Sequence, residues 1–255
     1  MGIVSKSATK IFTSTILRKI FHVVFSLILL IPFTTPFKQL ILVAIPWISD
    51  PTLLILSILL FGAGTLNSIQ IKMPDLRDRF LRTSLDFRKK VVEGLESNDR
   101  SRPYADLVQG FLTSMIKYEE KLLEFISIVE RDYEVRYGYI CITFGLLSIT
   151  MSYVFFKNFA IYGILALAIV DTVSSITTYF TPKRRKIYKH SDLSIATTFT
   201  IFTLALYLIT LDLPKSIAIS TISVLTELIS PEDNLTLPIV ASLTAFILKT
   251  WEPNL

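Results

Sequence analysis

Apolar and polar positions follow one another along this chain in long blocks. The block Ile161–Phe180 holds about twenty mostly apolar residues, enough for a helix to cross a bilayer. Comparable runs predict spans at Leu17–Ile31, Pro51–Leu66, Gly138–Phe156, Phe159–Phe180, Leu193–Leu211, Lys215–Ser230 and Leu235–Leu248. Pro32 and Pro36 are expected to end the first of these. Leu40–Ile48 is apolar but too short to cross, and Pro46 and Pro51 bracket it, which predicts a re-entrant or interfacial segment.

The pattern changes between residues 67 and 136. Leu81, Leu85, Val92 and Leu95 share one helix face, and Val108, Phe111, Leu112, Met115, Leu122, Phe125, Ile126 and Val129 share another. The polar turn Ser97–Pro103 separates them, with Pro103 suited to a first helical turn, so the region reads as a helical hairpin. The predicted fold is all-α: a polytopic membrane helix bundle of about six crossings plus a re-entrant segment, with a cytoplasmic helical hairpin inserted. Residues 1–66 supply the N-terminal membrane helices, 67–136 the hairpin, and 137–255 the C-terminal bundle.

Composition supports this reading: of 255 residues, 51% are hydrophobic and 18% charged, too few charges for a soluble domain. The net charge of +5 is no nucleic-acid signal, because thirteen Lys/Arg balance thirteen Asp/Glu between Thr65 and Tyr137. The surplus sits in the membrane part, where it sets orientation. No nucleic-acid partner is expected. Cys141 is the sole cysteine, which excludes an internal disulfide and a cysteine-built metal site. No small-residue cleavage site follows the first apolar run, so that run is expected to be retained. There is no internal repeat and no Gly-rich phosphate loop. With the N-terminus inside, the hairpin, the Pro182–Asp192 loop and the turn Pro231–Asn234 fall on the cytoplasmic side. Loops Pro32–Asp50, Lys157–Asn158 and Asp212–Pro214, poor in Lys and Arg, fall outside.

Candidate chemistry begins at Asp171, in the middle of an apolar span. A carboxylate at that depth costs about 2.5–3.5 kcal/mol, so it needs a partner or a function. Asp171, Ser174, Ser175 and Thr178 form one polar stripe at helical spacing. The span then breaks at Thr181-Pro182 into Lys183, Arg184, Arg185, Lys186 and Lys189, closed by Asp192. An intramembrane acid leading to a basic loop suits a metal ion and a polyphosphate. The plainer alternatives are a helix-packing role for Asp171 and an anchoring role for the loop. The same cytoplasmic side collects Arg18, Lys19 and His22, and the face Ser216, Ser220, Ser223 and Glu227, which ends at Pro231-Glu232-Asp233-Asn234. Taken singly, Glu227 reads as a residue snorkelling to water, Asp233 or Asn234 as a helix cap, and His22 as a hydrogen-bonded bundle residue. The charges of the hairpin form a solvated face. The hairpin is a candidate surface for homo-oligomerisation or docking, with packing against its own partner helix the favoured reading.

These residues resemble a family, the CTP-dependent lipid-alcohol kinases that include dolichol kinase and phytol kinase. Arg18-Lys19-Ile20-Phe21-His22 is similar to the family's R-K-x-x-H at the start of a membrane helix. Asp171-Thr172-Val173-Ser174-Ser175 is similar to its D-x-x-A-[AS], with Val170 where a Gly usually precedes. Lys189-His190-Ser191-Asp192-Leu193-Ser194-Ile195-Ala196 is similar to K-[ST]-x-E-G-[ST]-x-A. Glu227 followed by Ser230, Asp233, Asn234, Leu235 and Pro238 is similar to E-x-x-S…D-N-x-x-x-P, the most specific of the four. The resemblance covers the first span and the C-terminal half and leaves out the hairpin. Thr178 and Leu193 stand at two of the family's glycines, and Asp192 at its Glu. Those glycines allow close backbone approach to a nucleotide, so nucleotide choice stays open here.

The resemblance implies transfer of the γ-phosphoryl group of CTP to a polyisoprenoid alcohol of the dolichol or polyprenol type. The site would lie at the cytoplasmic interface of a multi-pass protein, in the cell membrane in preference to an internal one. It implies a divalent metal, Mg2+ or Ca2+, with Asp171, Asp192, Glu227 and Asp233 as its candidate ligands. Arg18, Lys19 and Lys189 are candidates for phosphate contacts, and Asp192 and Asn234 for orienting the nucleotide or the metal. The general base is His22 or a carboxylate, Asp171 or Glu227. Membrane lipid and the isoprenoid alcohol are the expected partners. Two alternatives remain: a CTP-dependent lipid cytidylyltransferase, and a non-catalytic membrane scaffold or transporter.

Overall fold

The computed structural model describes residues 2–73, 140–181 and 186–249, with scattered positions between 83 and 121. The chain divides into two compact units, residues 15–66 with 139–255 and residues 1–14 with 67–138. In the second unit, positions 110–112 and 114–118 are helical. The expected turn Ser97–Pro103, and most of the helices expected on either side of it, lie outside the described residues.

The described elements are α1 (Gly2–Ile28), α2 (Thr35–Ala44), α3 (Pro51–Lys72), α4 (Ile140–Phe156), α5 (Ala160–Phe180), β1 (Lys186–Ile187), β2 (His190–Ser191), α6 (Asp192–Thr210), α7 (Leu213–Ile229) and α8 (Asp233–Ile247). Among the described residues, four helical segments are long and apolar enough to cross a membrane: Thr15–Phe33, Pro51–Lys72, Ile140–Phe180 and Asp192–Thr210. This is an all-α membrane bundle. Two expectations change in detail. α1 begins at Gly2, well before Leu17. Pro36 opens α2 in place of ending the first span, because proline lacks only a hydrogen bond that a first turn does not make. α7 and α8 match the expected runs to within two residues at each end and, at 17 and 15 residues, are shorter than the usual crossing length.

α5 is the axis of the bundle. Over Ala160–Val170 it is apolar and buried on nearly every side, as a helix surrounded by other helices must be, and its second half carries the polar stripe. Ile161, Ile164 and Leu167 pack with Leu29, Phe33, Leu56, Leu146 and Ile149 from α3, α4 and the turn after α1. Tyr162, Ala166 and Val170 pack with Phe202, Leu206, Ile219 and Leu237 from α6, α7 and α8. Large apolar side chains such as Phe61, Leu208 and Ile229 point outward. Beside its apolar core the interior holds small hydroxyl residues, among them Ser148, Ser194, Thr198, Ser220 and Ser223, which let helices approach closely. Gly163 shows how close: a Cβ there would fall on the Pro238 carbonyl and the Ser242 hydroxyl.

Pro238 lies inside α8 and cannot donate to the carbonyl of Asn234, four residues earlier. The Ser148 hydroxyl of α4 donates to that carbonyl instead, at 2.8 Å. This cross-helix bond anchors the first turn of α8, which carries Asp233 and Asn234.

Candidate functional site

Five elements converge at one end of the bundle. α1 brings Lys19 and His22, one turn apart. α5 brings Asp171, Ser174 and Thr178; the turn between β1 and β2 brings Lys189, with His190 next to it. α7 contributes Glu227, and α8 contributes Asp233 and Asn234.

Local sequence explains each placement. α5 stops at Phe180 because Thr181 precedes Pro182, and a residue before proline leaves the helical region. The Thr181 hydroxyl bonds the Thr177 carbonyl and lies 2.6 Å from Ser191 Oγ, which pins the returning chain. Ser191 caps α6, its hydroxyl accepting from the Ser194 amide at 3.1 Å. The Ser194 hydroxyl donates to the Ser174 carbonyl at 2.7 Å, tying α6 to the polar stripe of α5. α7 ends at Ile229, and Ser230, ahead of Pro231, is extended, which turns the chain into α8.

The ionic geometry is specific. Lys19 Nζ donates to Asp171 Oδ1 at 2.6 Å, and His22 Nε2 lies 3.5 Å from Oδ2. Lys189 Nζ lies 3.0 Å from Asp233 Oδ2 and 3.5 Å from Glu227 Oε1. His190 Nε2 lies 3.1 Å from the same Glu227 oxygen. Asp171, Glu227 and Asp233 each offer an oxygen, and these atoms all lie within 4.8 Å of one another. Asp171 and Glu227 are only 4% and 2% exposed, so their charges interact with little screening. Burial alone would lower the Lys189 pKa, but the Glu227 and Asp233 carboxylates outweigh it and raise the value above 10.5. As far as Lys189 sets it, the contribution of these ion pairs is in place below that pH and is lost as pH rises through the raised value.

Most of the expected site residues come together here: Lys19, His22, Asp171, Lys189, Glu227, Asp233 and Asn234. Asp192 is the first residue of α6, is exposed, and turns its Oδ1 to the Leu193 amide at 2.7 Å. It lies outside the group of three clustered carboxylates. Arg18 bonds Thr15 one turn back on α1, at 3.4 Å. Asp233 does not cap α8 with its side chain; Glu232 holds the cap position, and Asp233 Oδ1 accepts from the Asn234 amide. Lys183, Arg184 and Arg185, and the side chain of Lys186, lie outside the described residues. Sequence reasoning misses His190, whose ring is buried and contacts Glu227 directly.

An all-oxygen donor set of three carboxylates suits a hard divalent cation. Glu227 Oε2 and Asn234 Oδ1 are buried and make no hydrogen bond among the described residues, so each retains a lone pair for a ligand. The chain matches no protein-family model, no curated protein and no solved structure. Its chemistry is read from these residues.

Proposed function

We propose that this protein is an integral membrane kinase that transfers the γ-phosphoryl group of CTP to the hydroxyl of a polyisoprenoid alcohol. The observation that carries the reading is the meeting of Asp171, Glu227 and Asp233 within 4.8 Å, flanked by Lys19 and Lys189, in a bundle with membrane-length helices. Phosphoryl transfer asks a protein mainly for positioning and charge neutralisation. Asp171, Glu227 and Asp233 would hold a divalent ion, Mg2+ or Ca2+, which neutralises phosphate charge when bound. Lys189, with a side chain 35% exposed, and Lys19 would meet phosphate oxygens. The alcohol oxygen forms a bond to the γ-phosphorus, the bond to the β–γ bridging oxygen breaks, and CDP leaves. His22 or one of the carboxylates takes the hydroxyl proton. The apolar grooves between helices hold the isoprenoid tail.

The same proposal places the site on the cytoplasmic face of the cell membrane, in a bundle of about six crossings with Leu40–Ile48 re-entrant. The resemblance of Arg18–His22, Asp171–Ser175, Lys189–Ala196 and the Glu227–Pro238 segment to lipid-alcohol kinases supports the choice of substrate and donor. With purified protein, a divalent metal and CTP, CDP release is expected only when a polyprenol is added. Because Thr178 and Leu193 replace glycines, ATP and GTP belong in the same series. No alcohol-dependent nucleotide turnover, with any alcohol or nucleotide, would leave a non-catalytic membrane protein.

A further inference from the structure

Among the described residues, every donor that reaches the Glu227 carboxylate reaches the same oxygen. Ser174 Oγ lies 3.4 Å from Oε1, Lys189 Nζ 3.5 Å and His190 Nε2 3.1 Å, while Oε2 receives no hydrogen bond among the described residues. The shortest of these contacts has a support of its own. His190 Nδ1 lies 3.1 Å from the Thr178 hydroxyl. One tautomer satisfies both ring contacts. A carboxylate only accepts, so Nε2 carries the hydrogen, and Nδ1 then accepts from the Thr178 O–H. The Thr178 oxygen in turn accepts from the Ser191 backbone amide at 3.4 Å. The donors therefore run in one direction, from the backbone of β2 through α5 and the imidazole to Glu227 on α7. His190 is 6% exposed and Glu227 2%, so water does not compete for either contact.

We infer that His190 and Thr178 form a positioning pair that fixes the Glu227 carboxylate by Oε1 and leaves Oε2 available to a divalent cation. The inference rests on the proposed function in one respect, that such a cation binds at these carboxylates. A carboxylate already locked in its bound rotamer loses less entropy when it takes a ligand. Groups that hold a ligating side chain from behind typically change metal affinity by about 10- to 100-fold. The two residues also stand where the resembling motifs have other types, Thr178 at a Gly and His190 at a Ser or Thr. Since they bond each other, the two departures make one device.

The test is binding of Mn2+, followed by electron paramagnetic resonance, to the purified full chain in lipid nanodiscs. His190→Ala should weaken binding about 10- to 100-fold, and His190→Gln, which keeps an N–H near the Nε2 position, should recover most of it. Thr178→Val keeps the shape and removes the hydroxyl, and should weaken binding several-fold; Thr178→Ser should match the wild type. Should His190→Ala fail to accumulate, the two Thr178 variants decide on the same readout. Wild-type affinity in both His190→Ala and Thr178→Val would overturn the positioning role while leaving the metal site standing. No Mn2+ binding by the wild type would overturn both.

Discussion

Asp171→Asn and Glu227→Gln will each lower turnover by roughly 100- to 1000-fold, the scale on which removing one preorganised electrostatic group acts, while the folded protein still accumulates in membranes. Both substitutions keep size and remove charge. The carboxamide oxygen introduced at position 171 would still accept from Lys19, and the one introduced at position 227 would still accept from His190. The packing of α1, α5 and α7 therefore survives. What is lost is the negative charge at two of the three carboxylates that lie within 4.8 Å of one another. Asp212→Asn is the control. Asp212 caps the opposite end of α7 and pairs with Lys215 at 3.2 Å. It lies about 20 Å along the helix from Glu227, at 1.5 Å of rise per residue. Turnover should fall little in that variant. Near-normal turnover in both Asp171→Asn and Glu227→Gln would return these residues to a packing role.

Lys19→Met will destabilise the bundle by about 3–5 kcal/mol, the cost of stranding one member of a buried ion pair. Lys19 and Asp171 meet at 2.6 Å with side chains 12% and 6% exposed, so without Lys19 the carboxylate keeps His22, 3.5 Å from Oδ2, but has little water to solvate it. Replacing both members, as in Lys19→Met with Asp171→Leu, should restore most of the stability, because an apolar pair of similar volume carries no desolvation cost. The double variant should nevertheless remain inactive. Thermal unfolding in detergent, read beside turnover, separates the two roles. A double variant both stable and active would make the pair a structural tie between α1 and α5 and nothing more.

Much of this arrangement is legible in the sequence, for a reason that can be stated. Membrane-length apolar runs are one-dimensional signals, so α1, α3, α4, α5 and α6 follow from hydropathy and proline positions, to within a few residues at most ends. The convergence of Asp171, Glu227 and Asp233 is legible from two facts: each acid lies on or beside a polar helix face, and the basic loops put those faces on one side. For Asp192, motif spacing gives position along the chain and not side-chain direction, and its Oδ1 turns to the Leu193 amide. Ser191, three residues before Ser194, is the signal that residue 192 opens a helix and can turn outward. His190 escapes notice because in the sequence it is one residue in a basic loop. Its role depends on the tight β1–β2 turn, where Tyr188 takes a left-handed φ of 55°, and on Thr178 standing below it on α5. The Ser148 bond to the Asn234 carbonyl is equally out of reach, since 86 residues separate the partners. Pro238 does announce that some group must supply it.

The central claim, γ-phosphoryl transfer to a lipid alcohol, is tested most directly by following which phosphorus of CTP moves. Purified protein would be given a divalent metal, a polyprenol, and CTP labelled at either the γ- or the α-phosphate. The proposed reaction puts the γ-label on the lipid, none of the α-label, and releases CDP, with the transfer lost in Asp171→Asn. An α-label on the lipid with release of pyrophosphate would contradict it and assign the site to cytidylyl transfer.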